Sequence, residues 1–275
     1  MSNDVYIKIN KEKISCKNDF MKIISNYKTI DIKNNHSDNK NYKLKEKPKV
    51  SIILCTMRPN LIENVFNNYD RQTYENKEMI IILNSNKSKL TTWNKKANNF
   101  KNIKIFKVDE KINLGNCLNI GISKSKGDII AKFDDDDYYG PLYLEDSIKE
   151  FEKTKASVIG KATSFIYFKD QKILALRFPN KNNRYVTHMD GPSMLIKKSV
   201  FKKIRFRDIP RGVDTKFSID CINNNIKIYS TNIFHHVYIR NNSNKHTWKI
   251  NNDKLLRMSI IVKKNVTDFT KYVDI

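Results

Sequence analysis

Between Pro48 and Phe133, short apolar runs alternate with segments of helical periodicity. The run Val50-Ser-Ile-Ile-Leu-Cys55 is β-branched and nearly free of polar positions, the mark of a strand covered on both faces. Arg58-Pro-Asn follows, and then Leu61, Ile62, Val65, Phe66 and Tyr69 recur at helical spacing. Residues 79–83 predict a second buried strand ending in Asn84-Ser-Asn86, residues 88–99 a helix, and residues 103–108 a third strand. Leu114, Cys117, Leu118, Gly121 and Ile122 line one face of a further helix, with Gly127 placed to terminate it. Residues 128–133 predict a fourth strand. Strands alternating with helices imply βαβ units and a mostly parallel sheet. Such sheets bind ligands at the carboxyl ends of their strands, which directs attention to Thr56-Met-Arg58, Asn84-Ser-Asn86 and the run from Asp134 to Asp137.

After Pro141 the pattern changes. Leu144, Ile148 and Phe151 predict a helix, and residues 158–168 and 173–178, joined by Lys169-Asp-Gln-Lys172, predict a small antiparallel hairpin. A glycine loop follows at Asp190-Gly191-Pro192-Ser193, then short helices near 197–203 and 213–224 and a strand near 234–240. The expected organisation is a Lys/Asn-rich extension and linker over 1–47, containing a short helix at 19–27. A main α/β domain follows over 48–250, divided into halves 48–140 and 141–250, and then a helical tail over 251–275.

A chain of 275 residues is long enough to bury a core without disulfides or a structural metal. Its 39% hydrophobic content excludes a disordered polymer. Cys16, Cys55, Cys117 and Cys221 are far apart, match no zinc spacing and read as reduced thiols of a cytosolic protein. The apolar runs are strand-sized, well short of the roughly 20 residues that cross a bilayer, and the first residues lack the apolar core of a signal peptide. A cytoplasmic location is expected. The 52 Lys and Arg against 29 Asp and Glu give a formal charge of +23. Lysine predominates and is spread along the chain beside abundant Asn and Ile, which reads as an AT-rich codon bias. No recognition helix, zinc finger or ribonucleoprotein motif is visible, so no specific nucleic-acid partner is expected. Attraction to a polyanionic substrate, or peripheral contact with an anionic membrane face, is compatible with the charge.

The sharpest chemistry is Phe133-Asp134-Asp135-Asp136-Asp137-Tyr138-Tyr139-Gly140-Pro141. Four adjacent carboxylates directly after an apolar strand, in a strongly cationic chain, call for a cation. Hard oxygen ligands select Mg²⁺, Mn²⁺ or Ca²⁺. An EF-hand is excluded because Tyr139 occupies a ligand position and the preceding segment is a strand. A divalent ion held after a parallel strand suits a diphosphate. Neither a P-loop nor a dinucleotide-binding glycine motif is present.

The chain resembles the inverting family 2 glycosyltransferases of GT-A fold. The matching stretches, in order, are Lys49 to Arg58, Arg71-Gln-Thr-Tyr-Glu-Asn-Lys-Glu-Met-Ile80, Asn113 to Gly121 with Lys126-Gly127-Asp128, the acidic run as a D-x-D site, and Arg211-Gly-Val-Asp214-Thr. They extend over about Pro48 to Trp248, most of a domain-sized chain. The resemblance implies transfer of a monosaccharide from a nucleotide-diphosphate sugar, a UDP-sugar being favoured, to a glycan, polymer or lipid-linked acceptor. The half 48–140 would bind the nucleotide and the half 141–250 the acceptor.

Carried over, Asp136 would ligate Mn²⁺ or Mg²⁺ with His246 as a further ligand. Asp134 and Asp135 would contact the ribose or share the metal. Thr56, Arg58 and Asn84 would line the nucleotide pocket, and Asp214 would be the general base, with Asp208 and Asp190 as alternatives. Asn84 stands where the family often has an aspartate, and Val213 where it usually has an acid. Two other readings are a nucleotide-sugar-binding protein without transferase activity and a basic nucleic-acid-binding protein.

Overall fold

The computed structural model describes residues 47–241 and 250–275. The expected extension over 1–47, its short helix at 19–27, and His246 and Trp248 therefore lie outside the described residues, save Lys47.

The first half forms as its pattern dictates. Strand β1 (Val50–Thr56) pairs in parallel with β2 (Lys77–Asn84) on one side and β4 (Ile129–Phe133) on the other, and β2 pairs in parallel with β3 (Ile103–Val108). The intervening helices are α1 (Ile62–Asp70), α2 (Leu90–Ala97) and α3 (Leu114–Lys124). Because side chains alternate across a strand, Ile52 and Leu54 join Val65, Phe66 and Trp93 in a core under α1 and α2. Ile53 instead joins Ile80, Ile82, Cys117 and Leu118 under α3. Both faces are covered, which accounts for the unbroken apolar runs.

The same sheet continues past β4 with β6 (Val158–Gly160), β9 (Arg184–Val186), β10 (Leu195–Lys197) and β11 (Ile228–Ser230), giving eight strands in the order β3-β2-β1-β4-β10-β6-β11-β9. Helix α4 (Tyr143–Lys153) covers the face shared with α1, and α5 (Val213–Asn223) the face shared with α3. A second sheet, in the order β13-β8-β7-β12-β5, joins β5 (Tyr138–Tyr139), β7 (Ser164–Phe168), β8 (Ile173–Arg177), β12 (His236–Arg240) and β13 (Ser259–Lys263). Two short helices, α6 (Asn252–Arg257) and α7 (Thr270–Val273), complete the described chain. Among the described residues no helix is long and apolar enough to cross a membrane.

Three local expectations are corrected. Residues 158–168 are not one strand: β6 stays in the large sheet and β7 enters the small one. The change falls at 161–163, where Lys161 buries its ammonium against Asn232 O (2.8 Å). The hairpin β7–β8 is present but is the middle of a five-stranded sheet. The tail over 251–275 is not all helical, because the β-branched run at 259–262 pairs with β8 as β13.

Gly127 is also not the helix terminator expected. Helix α3 ends at Lys124, and Gly127 lacks the positive φ that such a terminator needs. Its role is close approach: its N–H donates to Ser51 Oγ (2.8 Å), and Ser51 in turn donates to the buried Glu78 (2.6 Å). A Cβ at Gly127 would stand 2.6 Å from Ser51 Oγ and 2.7 Å from Lys49 O. Gly127→Ala is expected to cost about 1–3 kcal/mol, measured by urea denaturation. Gly127→Asn is expected to be at least as costly, whereas a left-handed terminator would tolerate Asn.

Candidate active site

The strand order reverses between β1 and β4, since β2 and β3 extend to one side of β1 and β4 lies on the other. The crevice at such a switch point is where open α/β sheets bind ligands. It brings Thr56, the last residue of β1, and Arg58, just after it, onto the acidic run just after β4.

Arg58 lies across the run. Its Nη1 donates to Asp136 Oδ2 (2.8 Å), its Nε donates to Asp135 Oδ2 (3.1 Å), and its Nη2 closes a second bond to Asp135. The Thr56 hydroxyl, buried, donates to Asp135 and accepts the Arg58 N–H (3.0 Å). Burial works against the Arg58 charge, yet Asp135 and Asp136 outweigh it and hold the guanidinium above its usual range. Lys132, inside β4, is 2% exposed and donates to Asp134 Oδ1 (2.8 Å), and its Nζ lies 3.9 Å from Asp214 Oδ1. Burial again disfavours its charge, and Asp134 and Asp214 more than restore it. Asp134 and Asp135 are pushed up from the ordinary aspartate value by burial, against the pull of Lys132 and Arg58 respectively.

The backbone of the run is held separately. On α1, Asn64 donates to Asp135 O (2.7 Å) and Asp137 O (3.0 Å), and Asn68 donates to Asp137 O (2.8 Å) while accepting from Tyr139 N (3.2 Å). Tyr139 stacks on Phe133 with ring centroids 3.6 Å apart. Its hydroxyl accepts from Asp134 N and donates to Pro192 O, both at 2.8 Å. Behind the run, Asp137 is buried beside His236 (3.5 Å) and pushed well up by that burial and by Asp136 and Asp134. His236 is held well below its usual value by burial, so His235-His236 is interior structure.

Arg58, Lys132, Asp134, Asp136 and Asp137 line a cavity of about 630 Å³, within the roughly 300–1,000 Å³ usual for small-molecule sites. Its other wall comes from Arg177, Lys181, the Asp190 loop, the segment 210–215 and Tyr238 to Arg240. Asp214 lies in the first turn of α5, after Gly212 at φ 71°. Carboxylates are favoured there by the positive helix end. Gly191 leaves room for it, because a Cβ there would collide with the Asp214 carboxylate in this position. Asp214 Oδ1 is shielded from solvent and has no hydrogen-bond partner among the described residues. Asp190 is engaged by Arg177, and Asp208 lies off the cavity lining, accepting from Asn113 (3.0 Å).

Of the residues singled out in the sequence, the structure brings Arg58, Asp134, Asp136 and Asp214 into one cavity. Thr56 and Asp135 stand beneath it, bound to Arg58. Asn84 is absent from the lining, and its amide donates to Asp109 O (2.7 Å), tying the end of β2 to the loop after β3. His246 lies outside the described residues. Sequence reasoning missed Lys132, Asn64, Asn68 and Arg177. Lys132 was visible as a charge inside a fully apolar strand, and Asn64 and Asn68 as amides four apart beside Val65, Phe66 and Tyr69.

Among the described residues no group of three or more Asp, Glu, His or Cys is poised around an ion. Two carboxylates facing the cavity nonetheless fit Mg²⁺ or Mn²⁺, which take one or two protein carboxylates and complete their shell with water and substrate phosphates.

A mixed sheet with parallel strands β1 to β4, in which β10 runs antiparallel to β4 and β6, and β9 to β11, with a switch-point crevice, an acidic run beside it and a second, smaller sheet walling the cavity, defines a GT-A-like α/β protein. The chain belongs to glycosyl transferase family 2, whose model matches residues 51–210. It is 27% identical over 197 residues to the uncharacterized glycosyltransferase MJ1057 of Methanocaldococcus jannaschii, covering 66% of this chain and 67% of that protein. The crystal structure of S. aureus TarS 1-349 is similar at a TM-score of 0.55 and 17% identity, over 70% of this chain and 60% of that one. The complex of TarS 1-349 with UDP-GlcNAc is similar at a TM-score of 0.53 and 17% identity, over 70% and 58%. The chain thus spans less than two thirds of the TarS structures, which share its fold.

Asn68→Ala leaves the Tyr139 N–H without its partner in the interior and the Asp137 carbonyl with Asn64 alone. It is expected to lower stability by about 1–3 kcal/mol, measured by urea denaturation. Asn64→Ala, at a half-exposed position that water reaches, is expected to cost less.

Proposed function

We propose that the chain transfers a monosaccharide from a nucleotide-diphosphate sugar, with UDP as the nucleotide, to an acceptor hydroxyl with inversion, Asp214 acting as general base. The observation that carries this reading is Asp214 Oδ1. A carboxylate oxygen hidden from solvent, facing the same cavity as Asp134 and Asp136 and accepting no hydrogen bond among the described residues, is ready to receive a proton. The rival acids are otherwise committed, Asp190 to Arg177 and Asp208 to Asn113. The UDP-GlcNAc complex of TarS, a protein of the same fold, supports UDP as the nucleotide.

The geometry supports the following roles. Donor diphosphate enters at the ends of β1 and β4, where Arg58 offers a guanidinium to its oxygens. Asp134 and Asp136 would hold Mn²⁺ or Mg²⁺, which when bound would offset negative charge on a diphosphate. Asp214, on the other wall, takes the acceptor proton as the hydroxyl attacks the anomeric carbon. Lys132 stands between the two walls, touching Asp134 and close to Asp214, and keeps the negative charges apart in a fixed geometry. The acceptor is a glycan, a polymer or a lipid-linked sugar.

Two experiments test the reading. Mn²⁺ is expected to tighten UDP binding by isothermal titration, and Asp136→Ala to remove that gain. Equal affinity in chelator and in Mn²⁺ overturns the metal assignment. Asp214→Asn keeps the shape of the carboxylate but removes its basicity, and is expected to leave UDP binding unchanged while lowering kcat for transfer by about 10²–10⁴. Wild-type turnover in that variant overturns the base assignment, and UDP-sugar binding by the parent chain without turnover on any acceptor makes it a binding protein.

A further inference from the structure

The two walls of the cavity differ in their charge balance. On the donor side every cation that lines the cavity is matched, Arg58 by Asp135 and Asp136 and Lys132 by Asp134. The other wall carries four cations: Arg177 from β8, Lys181 from the loop after it, Arg211 before α5, and Arg240 from β12. Asp190 and Asp214 share that wall, and from the acidic run Asp137 acts on Arg177, and Asp136 and Asp137 on Arg240, whereas Lys181 and Arg211 are exposed at its rim. Among the described residues no carboxylate lies within ion-pair distance of Lys181 or Arg211.

This wall is built rather than incidental. Arg177 is 3% exposed, paired with Asp190 and laid over the Tyr238 ring at 4.1 Å. Arg240 is 5% exposed and anchored on Ile250 O (2.9 Å) and Asn252 Oδ1 (3.2 Å). Burying guanidinium groups is costly, and a neutral sugar gives that cost no return. The Tyr238 hydroxyl, also in the wall, is hidden from solvent without a hydrogen-bond partner among the described residues. The chain ties these groups to the base. Arg211 precedes Asp214 by three residues, and Arg177 grips Asp190, the neighbour of Gly191 on which the Asp214 carboxylate packs. The anion they suit is therefore adjacent to the hydroxyl that is attacked and separate from the donor diphosphate at the ends of β1 and β4.

We infer that the acceptor carries an oxyanion, a phosphate ester or a carboxylate, next to its reactive hydroxyl, received by Arg177, Lys181, Arg211 and the Tyr238 hydroxyl. This rests on the donor and base assignment above. An acceptor of this kind is the product of a phosphorylating or acid-forming step on a polyol or sugar, and reaches the cavity with its charge in place.

The test uses the full chain saturated with UDP and Mn²⁺, so that the donor side is filled. Glycerol 3-phosphate, glycerate and glycerol are then titrated by ligand-observed NMR at low ionic strength. At least one anion is expected to bind about tenfold more tightly than glycerol. The combined substitution Lys181→Gln and Arg211→Gln is expected to erase that preference while the UDP affinity stays as in the parent chain. Binding of glycerol 3-phosphate alone identifies a phosphate ester, and comparable binding of glycerate extends the class to carboxylates. Equal binding of all three, a preference that survives in the double variant, or one that disappears once UDP saturates the protein overturns the inference. The UDP titration reads the donor assignment independently, and failure there removes the premise as well.

Discussion

The Arg58 guanidinium spans Asp135 and Asp136 at the only place in the described sheet where two adjacent parallel strands lead in opposite topological directions. Two unit charges 4 Å apart near a protein surface repel by about 4 kcal/mol, and four successive aspartates multiply that cost. The cancellation is distributed. Arg58 comes from the loop after β1, Lys132 from inside β4, and the carboxamides of Asn64 and Asn68 secure the peptide carbonyls from α1. Each contribution requires β1 beside β4 with α1 folded back across them. The sheet order and the acidic run thus depend on each other, and the run holds its shape while presenting Asp134 and Asp136 to the cavity.

The facing wall has another origin. It is assembled from β8, β12, the Asp190 loop and the first turn of α5, segments far apart in the chain that converge because the chain leaves the large sheet between β6 and β7 and returns to it through β9, β10 and β11. Gly191 permits the Asp214 carboxylate to approach the loop, and Tyr139 joins the walls by bonding both Asp134 N and Pro192 O. A displacement of the acidic run is therefore felt at the Asp190 loop through that phenol ring. Arg58 and Lys132 are each ion-paired within the first wall, while Lys181 and Arg211 in the facing wall are not, a difference invisible in the overall charge of +23.

The parallel half was legible because strands buried on both faces leave apolar runs, and because ligand positions follow strand ends by rule. Arg58, Asp134, Asp136 and Asp214 were found in this way or by resemblance, and they share one cavity. What escaped was set by tertiary contact. Arg177 lies at the end of an ordinary hairpin strand, and nothing local distinguishes it from a surface arginine. The break at 161–163 depends on Asn232 and Ser193, some thirty to seventy residues away. Gly127 carried a familiar helix-ending signal, but the constraint on it is the proximity of Ser51, across 76 positions of sequence. Strand β13 was hidden in a short segment whose partner precedes it by more than eighty residues.

The Tyr138 hydroxyl, next to the acidic run, donates to Asp274, 136 residues later, and its ring meets Phe269 edge-on at 5.1 Å. Close by, His235 N donates to Val273 O (3.1 Å) and Gly140 N to His235 O (2.8 Å). The back of the acidic loop is thus closed by segments that a ribosome delivers long after the loop itself. Strands β1 to β4 and their helices are contiguous in sequence and pair with near neighbours, so their loop closures are inexpensive. During synthesis the nascent chain therefore passes through a stage in which strands β1 to β4 can pair while Tyr138 still lacks Asp274, and completion of the site waits on the arrival of residues 268–274.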